Sequence, residues 1–115
     1  MKNGDAATSG ILPFDANGPS DIFVLRLYVS EATPASARAV VNARRLCEEH
    51  LKGRYRLQIL DIVDNVALAI EDQIVAAPTL IKISPPPLRR FIGDMSNVGR
   101  ILSGLNVVPA SGTEP

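Results

Sequence analysis

Among side chains able to do chemistry, sulfur is the scarcest: Cys47 is the single cysteine of the chain. One thiol cannot close an internal disulfide, and a dithiol redox cycle needs a second sulfur to resolve its mixed disulfide. Such a cycle also needs its thiolate at a helix N-terminus, where the backbone lowers the thiol pKa. The loop that opens the first helix reads Ser30-Glu31-Ala32-Thr33-Pro34 and carries no sulfur. Cys47 falls about four turns further on, on an apolar stripe, and reads as a small packed hydrophobe. Ser30 has no accompanying base. His50, the single histidine, has only Glu48 and Glu49 beside it, which is not the ligand spacing of a zinc site. Asp61, Asp64, Glu71 and Asp72 form a loose acidic set, read as strand-end and helix-start carboxylates rather than a metal or acid–base pair. No glycine-rich phosphate loop of the GxxxxGK[ST] kind is present. The chain is therefore expected to have no catalytic residue, no cofactor and no metal.

Lys and Arg total 12 and Asp and Glu total 12, a formal charge of zero. A nucleic-acid binder usually carries a basic excess and a membrane-surface binder a basic amphipathic helix, so neither partner is expected. Lys82, Arg89 and Arg90 read as a solvated basic edge. Near-neutral charge does little to oppose self-association. The polar start of the chain lacks a signal-type apolar run, and no apolar stretch approaches the roughly 20 residues of a membrane span. A cytoplasmic location is the expectation.

These residues must be positioned by one domain, since 115 residues with 46% apolar content suffice for one core. Phe23-Val24-Leu25-Arg26-Leu27-Tyr28-Val29 is a strand, expected to be buried on both faces. Thr33 can cap and Pro34 suits the first helical position. The helix they start runs to about Leu51, buries Val40, Ala43, Cys47 and Leu51, wets Arg38, Asn42, Arg45, Glu49 and Lys52, and stops at Gly53. Residues 55–62 alternate as a second strand, closing a βαβ unit that should be parallel and right-handed. A short helix is predicted over 65–75, a third strand over 77–83 and a fourth over 88–92. A last helix follows, capped by Ser96 and weakened by Gly99. The order βαβ-α-ββ-α, with Pro78 opening the third strand, is the thioredoxin-like α/β arrangement. Residues 1–20 read as a flexible extension, 21–108 as the domain and 109–115 as a flexible tail.

The motifs then resemble a known family. Leu25-Arg26-Leu27-Tyr28-Val29, Thr33-Pro34 and Arg38-Ala39 open like KaiB, and Leu46-Cys47-Glu48-Glu49 to Gly53-Arg54-Tyr55 continues it. The most specific run is Ala77-Pro78-Thr79-Leu80, Lys82, Pro85-Pro86-Pro87-Leu88-Arg89-Arg90, Ile92-Gly93-Asp94, Ser96 and Gly104-Leu105. The similarity spans roughly 22–108. Departures are Ser30-Glu31 for Ala-Gly, Val66 for a proline, Asn97-Val98-Gly99 for an acidic stretch, and Asn106 for the acidic residue after Gly104-Leu105.

The resemblance implies a non-enzymatic adaptor that binds a hexameric KaiC-type ATPase and kinase. It also implies KaiA-like or histidine-kinase partners, and an unbound homo-oligomer, a dimer or tetramer, whose C-terminal half is repacked. Arg38, Arg54, Tyr55 and Asp61 are the expected partner-binding residues; Phe23, Pro78, Pro85, Pro86, Pro87, Gly104 and Asn106 are the expected fold-switch residues. The sequence gives the second set physical grounds: short apolar runs suit strand or helix, and X–Pro bonds exchange isomers over tens of seconds or longer. Gly104 weakens a helix by roughly 1 kcal/mol relative to Ala, so Gly104→Ala is expected to favour the thioredoxin-like state. Competing readings are a thioredoxin-like redox or glutathione-binding protein, against which the sulfur-free loop argues, and a stand-alone sensor domain of the kind attached to histidine kinases.

Overall fold

A computed structural model describes residues 22–108; the two expected tails lie outside the described residues. Seven elements follow in the expected order: β1 Phe23–Val29, α1 Pro34–His50, β2 Tyr55–Asp61, α2 Val66–Glu71, β3 Thr79–Ser84, β4 Arg89–Ile92 and α3 Val98–Leu105. They form a mixed four-stranded sheet in the order β2-β1-β3-β4. β1 and β2 are parallel from Phe23↔Tyr55 to Val29↔Asp61, as a βαβ crossover requires. β3 runs antiparallel to β1 and β4 antiparallel to β3. This is the thioredoxin-like arrangement.

α1 and α3 cover one face of the sheet. Side chains of a strand alternate between faces, so Phe23, Leu25 and Leu27 of β1 meet Ala39, Ala43, Leu46 and Cys47 of α1 and Ile101, Leu102 and Leu105 of α3. Each fully buried Leu contributes roughly 1.5–3 kcal/mol. α1 buries Ser36, Ala39 and Leu46 beside the predicted Ala43 and Cys47, while Val40 is only half-buried. Its stripe is thus turned slightly from the predicted one. On the other face, α2 covers Tyr28, Leu60 and Ile81 through Ala69. Val24 and Arg26 are half-exposed there, so β1 is not buried on both faces as expected; the α1 and α3 side takes Phe23, Leu25 and Leu27, with Val29 partly buried at its end.

Three local readings are corrected. Thr33 occupies the N-cap of α1, but its side chain makes no cap bond; its hydroxyl donates to Ser30 O at 3.2 Å. The helix relies instead on Pro34 in its first turn. α2 stops at Glu71 rather than running to 75, because Gln73 turns into the left-handed region at φ 58°. Asn97, not Ser96, caps α3, its side chain accepting from Arg100 N at 3.1 Å. At the far end Asn106 is the left-handed residue, φ 60°, whose N–H bonds back to Leu102 O and Ser103 O. Asn is the non-glycine residue best suited to that position. Among the described residues no helix is long and apolar enough to cross a membrane.

Candidate functional site

The loop between β1 and α1 is where the sequence argument sought redox chemistry. Ser30, Thr33 and Ser36 satisfy one another there: Ser30 N donates to Ser36 Oγ at 3.0 Å, and Thr33 Oγ1 lies 2.6 Å from Ser36 Oγ. Each hydroxyl is held by another hydroxyl or by backbone, with no general base in the set. Val29, Glu31, Ala37 and Val40 join them around a shallow groove of about 320 Å³. Pro78 is buried, its peptide bond to Ala77 is cis, and its carbonyl accepts from Gly93 N at 3.1 Å. Cys47 lies in the core, and burial, then Glu48, pushes its thiol up to about 12. It is protonated at neutral pH and is no nucleophile. Among the described residues no group of His, Cys, Asp and Glu has metal-binding geometry.

The four expected partner-binding residues do not form one patch. Arg54 and Tyr55 sit where β2 begins: Arg54 stacks 5.8 Å from the centre of the Phe23 ring, and Tyr55 donates its hydroxyl to Glu48 Oε2 at 2.5 Å. Asp61 ends β2, six residues away or about 20 Å along the strand, and accepts from Val63 N at 2.8 Å. Arg38 lies in the early turns of α1, at the same end of the sheet as Asp61. Its side chain is 60% exposed and its Nε donates to Asp94 Oδ2 at 3.3 Å. Asn42 holds the same loop by donating to Asp94 O at 2.8 Å. The Asp94 carboxyl is held below the usual range first by hydrogen bonds from Ser96 and then by Arg38. Among the described residues β2 is an outer strand, paired only with β1, and its other edge links the two ends.

The expected fold-switch residues are also distributed. Phe23 is in the main core at the start of β1. The bonds Ser84–Pro85 and Pro86–Pro87 are cis, like Ala77–Pro78, so cis bonds flank β3 on both sides. Gly104 faces the buried ring of Phe91: a Cβ there would lie 2.5 Å from Phe91 Cε1 and 2.6 Å from Cζ. The expected stabilisation by Gly104→Ala is therefore opposed by a steric clash that helix propensity does not register. Gly104 is the notch into which Phe91 packs.

One constellation was missed. Asp72, read as part of a loose acidic set, is a single anchor between three elements. Its carboxylate accepts from Arg26 at 2.8 Å and from Tyr28 Oη at 2.5 Å, and its backbone carbonyl accepts from Arg90 at 2.9 Å. Burial first, then Asp72, pushes the Tyr28 hydroxyl up to about 12. A lone arginine inside the apolar run Phe23–Val29 was the available signal, since a charge there requires a partner. Lys82 also departs from expectation. It is buried rather than solvated, because it alternates with Leu80 towards the α1 and α3 side. Burial, then Arg89, lowers its pKa.

A family model described as the KaiB domain matches residues 26–107. The chain is 47% identical over 90 residues to the circadian clock oscillator protein KaiB of Synechococcus sp. (strain CC9311), covering 78% of this chain and 76% of that one. It is 46% identical over 86 residues to the protein of the same name from Thermosynechococcus vestitus, covering 75% and 80%. Among solved structures, the N-terminal domain of Synechococcus elongatus SasA superposes with a TM-score of 0.61 at 19% identity, covering 81% of this chain and 88% of that one. The germline thioredoxin Deadhead of Drosophila melanogaster superposes at 0.63 with 9% identity, covering 76% and 82%. At such identities the structural likeness shows the fold alone.

Proposed function

The chain belongs to the KaiB family, and from that premise we propose that it is a non-enzymatic adaptor that docks on a hexameric KaiC-type ATPase and modulates its phosphorylation or signalling output. The observation that carries this reading is the match to named clock proteins over most of the domain. The sulfur-free loop at 30–34 and the protonated, buried Cys47 weigh against a redox alternative. The open edge of β2 supplies a surface, since unpaired strand groups can extend a partner's sheet. Arg38, largely exposed beside that end of the sheet, supplies a charge. A ring of subunits would carry up to one adaptor per subunit, repeating one interface. KaiA-like or histidine-kinase partners belong to the same proposal, as does an unbound dimer or tetramer in which residues from about 65 to 108 are packed differently. A rare binding-competent form lowers apparent affinity in proportion to its population.

Size-exclusion co-elution with the cognate ATPase, over several nucleotide and phosphorylation states, is expected to show a complex in at least one of them. No complex in any state overturns the proposal. Arg38→Ala is expected to weaken that complex by about tenfold, the scale of an interfacial arginine. Unchanged affinity would move the contact elsewhere on the domain.

A further inference from the structure

Lys82 is a cation set into an apolar layer. It is 2% exposed and sits between Leu25 of β1 and Arg89 of β4, its partners across the two ladders. Residues directly opposite one another in a sheet share a face, and like charges so placed repel. Leu25 is buried against α1 and α3, so the shared face is the one those helices cover. Among the described residues the Lys82 ammonium has no hydrogen bond or ion pair. Among them, too, the one side-chain nitrogen or oxygen shut off from solvent without a partner is Arg26 Nε. The Lys82 stem is therefore buried while its Nζ reaches the surface, beside the exposed side chain of Arg89.

No acid stands by to neutralise this pair. β1, β3, β4 and α3 contain no Asp or Glu, and neither do residues 85–88 and 106–108. On α1, Glu48 accepts from Tyr55 and Glu49 faces His50 at 3.9 Å. Glu71 and Asp72 go with α2 on the opposite face. Asp61 and Asp94 lie at the other end of the sheet, where Asp94 holds Arg38. Burial first, and then Arg89, disfavours the charged Lys82 amine, a cost that a bound anion offsets. Two adjacent cations match a dianion better than they match one carboxylate, and a phosphate group carries about −1.5 to −2 at pH 7. Arg brings a planar fork of donors and Lys a point charge, two ways of holding phosphate oxygens.

We propose that Lys82 and Arg89 form a phosphate-binding site on the β3–β4 side of the helix-covered face, taking inorganic phosphate or a phosphate ester. It is distinct from Arg38 and the β2 edge, on which the adaptor reading places its contact, so either can fail without the other.

Inorganic phosphate titrated into the 15N-labelled full-length chain at constant ionic strength tests this, with O-phosphoserine as a second arm. Saturable shifts are expected at the Arg89 Nε–H and at the amides of residues 82 and 89. Lys82→Met keeps the buried stem and removes the charge; Arg89→Gln changes an exposed side chain and leaves the core intact. Each should weaken phosphate binding by about tenfold or more, the scale of one lost charge-assisted hydrogen bond. Tighter binding of O-phosphoserine would assign the site to an esterified phosphate, and tighter binding of inorganic phosphate to the free ion. Shifts that never saturate in either arm overturn the proposal. So does unchanged affinity in Arg89→Gln, whose fold does not depend on the substituted side chain.

Discussion

The two faces of the sheet are held by different physics. Among the described residues, fifteen buried ones form one apolar cluster on the α1 and α3 face, whereas on the α2 face four do. The second face depends on Asp72 tying Arg26, Tyr28 and Arg90 together. Apolar packing is distributed, and losing part of it leaves the rest. A polar anchor is concentrated: one carboxylate supports both Arg26 and Tyr28, and its loss strands the two together, while Arg90 keeps its bond to the backbone carbonyl. The first face should therefore set global stability and the second should set how firmly residues 66–76 hold to the sheet.

The largest expected effect tests the first half of that contrast. Leu27→Ala empties a fully buried site between β1 and its covering helices and should cost roughly 2–5 kcal/mol, read by denaturant unfolding. A smaller loss would mean the first face is looser than its burial suggests. Next is Gly104→Ala, expected to cost about 1–3 kcal/mol by overpacking against Phe91. Combining it with Phe91→Leu should recover most of that loss and expose the helix-propensity gain. Strict additivity of the two changes would remove the notch as an explanation.

Asp72→Asn should cost about 1–2 kcal/mol and raise amide exchange across residues 66–76 more than in α1. Equal exchange in both regions would erase the distinction between faces. Burial of Tyr28, and then the same anchor, sets an alkaline limit. Tyr28 titrates near 10 unfolded and near 12 folded, so its contribution is complete below pH 10 and is lost as pH rises through 12. Phenolate absorbance should show Tyr28 ionising late in wild type. Smallest of all, Ile70→Thr should change stability by less than about 0.5 kcal/mol, because Ile70 is 70% exposed. A clear loss would show that something covers it.

The sequence patterns that located β1, α1 and β2 are local. Alternation in Tyr55–Asp61, Pro34 at a helix start and Gly53 past its end act within a few residues of themselves. The missing cysteine at 30–34 was equally legible, because an absent side chain needs no tertiary context. What escaped were one local backbone turn without a glycine or proline to mark it, and features set by distant partners. The length of α2 is cut by Gln73, whose positive φ accompanies the closing bonds Gln73 N to Ile70 O and Ile74 N to Ala69 O. Lys82 looked like its neighbours Arg89 and Arg90, yet the antiparallel register places it opposite Arg89 with its side chain inward. Asp72 looked like any helix-end carboxylate until β1 brought Arg26 beneath it. Of the candidate site, single residues were legible, but their grouping depended on which ends of β2 and α1 face each other.

β1 pairs on one side with a strand ending at Asp61 and on the other with a strand ending at Ser84. During synthesis the second pairing therefore waits for 84 − 61 = 23 further residues. At roughly 5–20 residues per second this is about one to five seconds. Throughout that interval the nascent βαβ unit carries Leu25 and Leu27 on a strand with one edge unpaired, the condition under which neighbouring chains on a polysome can join edge to edge. The central place of β1 in the finished sheet thus makes translation across residues 62–84 an interval in which that strand stands open on one side.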